Sequence, residues 1–364
     1  MPTNQLYHTL FQYVRQLWPK VRITQARNLV WLMVGMYKSK SVHLSKVAMK
    51  IPGPAFLVSV ERRLERFLSN SHLSALKWYQ PLAQQWLRLA TETVGEVRLI
   101  IDGTKIGFGF QLVMISLAFR RRSIPLAWIW LRYVKGHSSA ERQITLVKRV
   151  RRLVPAEAHV VLVGDTEFES GPLQECLNEW GWHYALRQKP NNLVQVPDNR
   201  LWQRLDTLVL RPGQTRWIMN ALVTAKHTLT ANVLAYWKLG ETQPWLLATN
   251  LPSSLQTLRA YRRRMWIEEM FGDLKKHGFD LESTHLRHVL RLARLTLAVV
   301  LLYDWLMTIG VKTIKAGQRH LVDRHDRRDL SLFQIGLRLI ERRLANRLIL
   351  RVAFCLNIPK LSGS

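Results

Sequence analysis

Apolar positions recur every three or four residues through the first quarter of the chain: Leu6, Leu10, Phe11, Val14 and Leu17, then Leu29, Trp31, Leu32, Val34 and Met36. That period predicts amphipathic helices. Residues 1–93 read as a helical bundle interrupted at IPGPAF, 51–56, where two prolines and a glycine break the pattern. Near Val94 the period changes. VRLIID (97–102), QLVMISLAF (111–119) and SIPLAWIWLRYV (123–134) are short apolar runs rich in branched residues, and they predict buried strands. HSSAERQITLVKRVRRLV (137–154) opens with Ser and Glu at capping positions and predicts a basic helix. Strand HVVLVGD (159–165), helix GPLQECLNEWG (171–181) and strand WHYALRQK (182–189) follow. Three strands, helix, strand, helix, strand predict a mixed sheet with helices on its faces.

Residues 190–243 leave this rhythm. Turns at Pro190-Asn191-Asn192 and Pro212-Gly213 separate alternating runs, which predict an antiparallel β insertion. PWLLATNLP (244–252) returns to the main sheet, and a helix follows it. The most hydrophobic window, LARLTLAVVLLYDWLMTI (292–309), contains Arg294 and Asp304 and is flanked by basic sequence. It predicts a buried core helix rather than a membrane span. From Lys312 the chain reads as a loop and then a basic amphipathic helix. Three segments result: a helical region at 1–93, an α/β (α+β) domain at 94–310 carrying its insertion at 190–243, and a helical tail at 311–364.

Charge narrows the partners. The 364 residues carry 54 Lys plus Arg against 25 Asp plus Glu, a net of +29. Arginines cluster at 120–122, 149–152, 262–264, 327–328 and 342–343. Such a surface favours a polyanion and predicts nucleic-acid binding with steep salt dependence. Cys176 and Cys355 form neither a metal spacing nor a disulfide framework, and the N-terminus lacks a signal-peptide pattern. A cytoplasmic, nucleoid-associated protein is the expectation.

Two acids end the apolar runs, Asp102 in VRLIIDGTK and Asp165 in HVVLVGDTEF. A third, Glu268, lies in AYRRRMWIEEMFGDLKKHG. On a regular helix Tyr261, Arg264, Glu268 and Lys275 fall within an arc of roughly 60°. One face would thus carry a phenol, a guanidinium, a carboxylate and an ammonium. Trp266, Ile267, Met270, Phe271 and Leu274 form the apolar stripe, and Glu269, Asp273 and Lys276 the expected solvent face. Carboxylate oxygens suit hard Mg²⁺ or Mn²⁺, and a metal pair is what phosphoryl transfer on DNA requires. Lys105, three residues after Asp102, is a candidate to approach the site. Arg287, Arg291 and Arg294 are candidates for a DNA track.

The ungapped pattern Tyr-x2-Arg-x3-Glu-x6-Lys, with Asp102 and Asp165 upstream, resembles bacterial DDE transposases of the insertion-sequence-four family. The resemblance covers roughly 97–310. It implies an RNase H-like catalytic core with the β insertion between the second and third acids. It implies that Asp102, Asp165 and Glu268 hold two Mg²⁺ or Mn²⁺ ions, and that Tyr261, Arg264 and Lys275 hold phosphates. Trp245 stands where relatives stack a tryptophan on a flipped base during hairpin chemistry. The implied partners are double-stranded DNA, as transposon ends and target, and a second copy of the chain in a synaptic complex. No membrane is implied. The implied activity is strand hydrolysis and transfer at terminal inverted repeats, by cut-and-paste. Two rivals share parts of this picture: an RNase H-like nuclease without strand transfer, and a non-catalytic repressor derived from a transposase.

Overall fold

The computed structural model describes residues 2–107, 109–132, 138–197, 199, 201–224, 228–350, 352 and 354. His137 and Cys355 lie outside them. The described residues form two compact units. One takes Met1–Gln85, Lys105–Gln111 and Phe271–Pro359; the other takes Trp86–Thr104 and Leu112–Met270. The boundaries thus differ from the three consecutive segments expected, because the 94–310 stretch contributes to both units.

The first unit is helical. It contains α1 (Pro2–Leu17), α2 (Ile23–Ser39), α3 (Leu44–Ala48), α4 (Leu57–Ser69) and the opening turns of α5 (Ala75–Val94). The non-helical break at IPGPAF separates α3 from α4, as two prolines require. Much later in the chain come α10 (Val289–Lys315) and α11 (Leu332–Ala345). Helix α10 is long and apolar enough to cross a membrane by length and composition, and 89% of its most apolar window is buried inside the protein. The helix crossing is close: a Cβ on Gly310 would come 2.0 Å from the Leu332 carbonyl, and one on Gly336 2.0 Å from the Leu306 carbonyl. Only glycine fits either position.

Asp304 and Arg294, inside α10, find partners far away in the sequence. Tyr79 donates to Asp304 Oδ2 at 2.5 Å. Arg294, expected on a DNA track, is buried instead. It donates to the carbonyls of Leu68 at 2.7 Å, in the last turn of α4, and of Leu73 at 2.9 Å, just beyond it, satisfying orphan acceptors at that helix end. Asp273, expected in solvent, is also buried.

The second unit is built on the sheet, whose ten strands run in the order β3-β2-β1-β4-β5-β10-β9-β8-β6-β7. They are β1 (Glu96–Ile106), β2 (Phe110–Phe119), β3 (Arg122–Arg132), β4 (His159–Gly164), β5 (His183–Arg187), β6 (Leu193–Gln195), β7 (Gln203–Arg204), β8 (Thr215–Val223), β9 (Leu229–Tyr236) and β10 (Trp245–Thr249). Strands β1, β4 and β5 pair in parallel, with α6 (Ala140–Arg151) and α7 (Gly171–Glu179) as the helices between them in sequence. The insertion is antiparallel, as its alternation predicted, and it extends the same sheet: β10 pairs with β5 on one side and β9 on the other. Its inner face has its own apolar cluster, including Val194, Leu205, Val209, Val233 and Leu246. The chain then enters α8 (Ser254–Tyr261) and α9 (Met265–Leu274).

Candidate functional site

The parallel pairing of β1 with β4 places two acids side by side. Ile101 is in register with Gly164, so Asp102 and Asp165 are the next residues of adjacent strands. Gly164 keeps this corner tight. A Cβ there would meet Ile101 Cγ2 at 3.0 Å, and Leu186 Cδ2 and Phe168 Cβ at 3.1 Å. Asp165 also caps a 3₁₀ turn, Thr166–Phe168. Its Oδ1 accepts from Glu167 N at 2.9 Å and from Thr166 Oγ1 at 3.0 Å. Asp102 is buried, and its Oδ1 accepts from Gly103 N at 2.7 Å.

The third acid arrives by a path the regular helical wheel does not describe. The segment is not one helix: α8 ends at Tyr261, residues Arg262–Arg264 form a 3₁₀ turn, and α9 begins at Met265. A 3₁₀ turn advances three residues per turn rather than 3.6, so the arc drawn through Tyr261, Arg264, Glu268 and Lys275 does not hold. What joins the residues is side-chain chemistry. Arg264, only 8% exposed, donates Nη1 to Asp102 Oδ2 at 3.2 Å and Nη2 to Glu268 Oε1 at 2.6 Å. One guanidinium therefore ties the first acid to the third. Its other neighbour is the sulfur of Met265, 3.0 Å from Nη2.

The electrostatics of Asp102 involve both other acids. Burial pushes the Asp102 carboxyl up to about 7. The Arg264 charge pulls it down, Asp165 pushes it up, the Gly103 N–H pulls it down, and Glu268 pushes it up. Both other acids thus act on Asp102 through space.

Tyr261 and Trp245 form the aromatic side of the site. Trp245, half-buried at the start of β10, packs edge to face on Tyr261 with ring centroids 5.1 Å apart. Its ring also lies 6.0 Å from that of Tyr236, its register partner on β9. Tyr261 is buried, and its hydroxyl has no hydrogen-bond partner among the described residues. Burial pushes that phenol up to about 12, against the opposing charges of Arg264 and Arg187.

Lys275 belongs to the other compact unit. There its Nζ donates to the Lys105 carbonyl at 3.1 Å and pairs with Glu282 at 2.9 Å. Lys105 is exposed and lies in that unit too. Arg187, the last residue of β5, and Lys189 lie two apart in sequence, as alternate residues at a strand end do. They line a groove of about 720 Å³ together with Thr166, Trp237 and Pro244.

Asp102, Asp165 and Glu268 supply a hard, all-oxygen donor set, and their mutual electrostatic influence is what a divalent cation would relieve. In donor chemistry they fit Mg²⁺ or Mn²⁺. As the side chains stand, no three His, Cys, Asp or Glu among the described residues are grouped to hold an ion. The Arg264 guanidinium stands between two of the candidates.

Comparison with known proteins adds three findings. The family model described as "Transposase DDE domain" matches residues 95–305. No curated protein matches in sequence. Among solved structures, a piggyBac transposase synaptic complex with hairpin DNA, determined by cryo-electron microscopy, aligns over 98% of this chain and 84% of that one, at 9% identity and a TM-score of 0.45.

Proposed function

The chain belongs to the transposase DDE domain family, and from that premise we propose that it mobilises a bacterial insertion sequence of the insertion-sequence-four type. It cuts DNA at terminal inverted repeats and joins the freed ends to a target, by cut-and-paste. The catalytic core is RNase H-like, with Asp102 and Asp165 on neighbouring strands and Glu268 on α9. The observation that carries this reading is the register of Asp102 beside Asp165, with Glu268 tied to Asp102 through a single guanidinium.

Two Mg²⁺ or Mn²⁺ ions held by Asp102, Asp165 and Glu268 would activate the attacking oxygen and stabilise the leaving one. The chain's own residues do the rest. The parallel pairing sets the backbone positions of Asp102 and Asp165, and Gly164 leaves room for the side chains of Ile101, Leu186 and Phe168. Arg264 and Arg187 supply positive charge for phosphates that gain charge during transfer, and Lys275, on the other compact unit, is a further phosphate-holding cation. Trp245 offers an aromatic face for an extruded base. The net charge of +29 holds duplex DNA along the protein. Two ends must be processed together, so the working form is a homodimer on DNA, in the cytoplasm with the nucleoid.

The test is a cleavage and joining assay on DNA carrying the element's ends, with a target plasmid and Mg²⁺. Wild-type protein gives nicked ends and recombined plasmid. Asp102→Ala, Asp165→Ala and Glu268→Ala each bind ends and leave them uncut. Cleavage without recombined product would instead identify a nuclease, and cleavage by Glu268→Ala would remove the third acid from the site.

A further inference from the structure

Arg264 has an environment that a phosphate-holding residue does not need. Its side chain is nearly inaccessible, and both terminal nitrogens are already committed, one to Asp102 Oδ2 and one to Glu268 Oε1. Among the described residues, Arg264 pairs with both Asp102 and Glu268. Burying the Asp102 carboxylate, with the exposed Glu268 carboxylate on the other side of Arg264, is costly unless a cation compensates it. The planar fork of an arginine is suited to taking one oxygen from each of two acids, which a lysine cannot do in the same geometry.

We infer that Arg264 is an internal stand-in for the metal: it positions Asp102 and Glu268 in the metal-free protein and gives up their oxygens when a divalent ion binds. This inference rests on the reading of Asp102, Asp165 and Glu268 as the metal-holding group. The ion and the guanidinium need the same two oxygens, Asp102 Oδ2 and Glu268 Oε1, so they compete. Once released, the guanidinium stays anchored on the 3₁₀ turn at 262–264, near Tyr261, whose hydroxyl has no hydrogen-bond partner among the described residues. There it is a mobile cation next to the acids, positioned to meet a DNA phosphate. Binding of metal and binding of a DNA end then favour each other, because each stabilises the same released arrangement. Arg264 in this role is a positioning residue.

The experiment is calorimetric titration of Mn²⁺ into the full-length, DNA-free protein at pH 8, for wild type, Arg264→Gln, Arg264→Lys and Asp165→Asn. Competition predicts that Arg264→Gln binds Mn²⁺ about tenfold more tightly, equivalent to about 1.4 kcal/mol. Arg264→Lys, which keeps the charge and loses the fork, falls between the two and carries the test should the glutamine variant not fold. A merely structural arginine would give unchanged or weaker binding in both variants. That result, with wild-type binding intact and lost in Asp165→Asn, overturns the inference alone. Absence of Mn²⁺ binding by the wild type overturns the metal reading and this inference with it. End affinity gives a second readout: wild type binds ends more tightly in Ca²⁺ than in EDTA, and Arg264→Gln shows no such gain.

Discussion

Asp102→Asn tests the electrostatics of the site without any chemistry. Burial raises the Asp102 carboxyl from its ordinary 3.8 to about 7 in the folded protein. A raised acid pKa means that the native state binds the proton more tightly than the unfolded chain. Its contribution is therefore fully present below about pH 4 and is lost as pH rises through about 7. A shift of about 3 units is worth roughly 4 kcal/mol in total. Between pH 5.5 and pH 8 the same two pKa values give a loss of roughly 2 kcal/mol. Asparagine keeps the shape and the acceptor for Gly103 N but cannot titrate. Urea unfolding at both pH values, in EDTA, should show the wild type losing about 2 kcal/mol more than Asp102→Asn on going to pH 8. Titrating groups that do not interact with Asp102 cancel in that double difference. A double difference within about 0.5 kcal/mol of zero would refute the buried, acid-crowded placement of Asp102.

Other residues give sharper yes-or-no outcomes. Lys275→Ala should weaken end binding and lower the slope of log affinity against log salt by about 1, whereas an unchanged slope would make its pair with Glu282 purely structural. Arg294→Met should cost about 1–3 kcal/mol by stranding the Leu68 and Leu73 carbonyls, with end affinity unchanged; loss of end affinity at intact stability would return Arg294 to the DNA surface. Trp245→Ala should impair hairpin steps more than first-strand nicking, and equal losses at both would assign it to packing on Tyr261.

The strands were readable because their signal is local. VRLIID and HVVLVGD are apolar runs that end at an acid, and β1 and β4 end their apolar pairing one residue before Asp102 and Asp165. The insertion was readable for the same reason, from turn residues and alternation. The helix bearing Glu268 was read correctly as an element and wrongly as a regular one. Nothing in the arginine-rich composition at 262–264 distinguishes an i→i+3 turn from an i→i+4 turn, and the distinction moves every residue that follows.

The buried charges were unreadable for a different reason. Arg264 is buried because Asp102 waits 162 residues upstream, and Arg294 because two carbonyls wait more than 200 residues upstream. A charge looks solvated in a sequence until its partner is known. The compact units were hidden likewise: residues 105–111 and 271–359 join the N-terminal helices through contacts that no local pattern announces.

Crystals soaked in Mn²⁺ and measured at the manganese absorption edge would probe the three acids themselves. Anomalous peaks touching Asp102, Asp165 and Glu268 oxygens, about 4 Å apart if paired, are the predicted result. Density that leaves Arg264 bridging Asp102 and Glu268 at saturating Mn²⁺, with no peak at those carboxylates, would contradict a metal-dependent transposase site at this corner of the sheet.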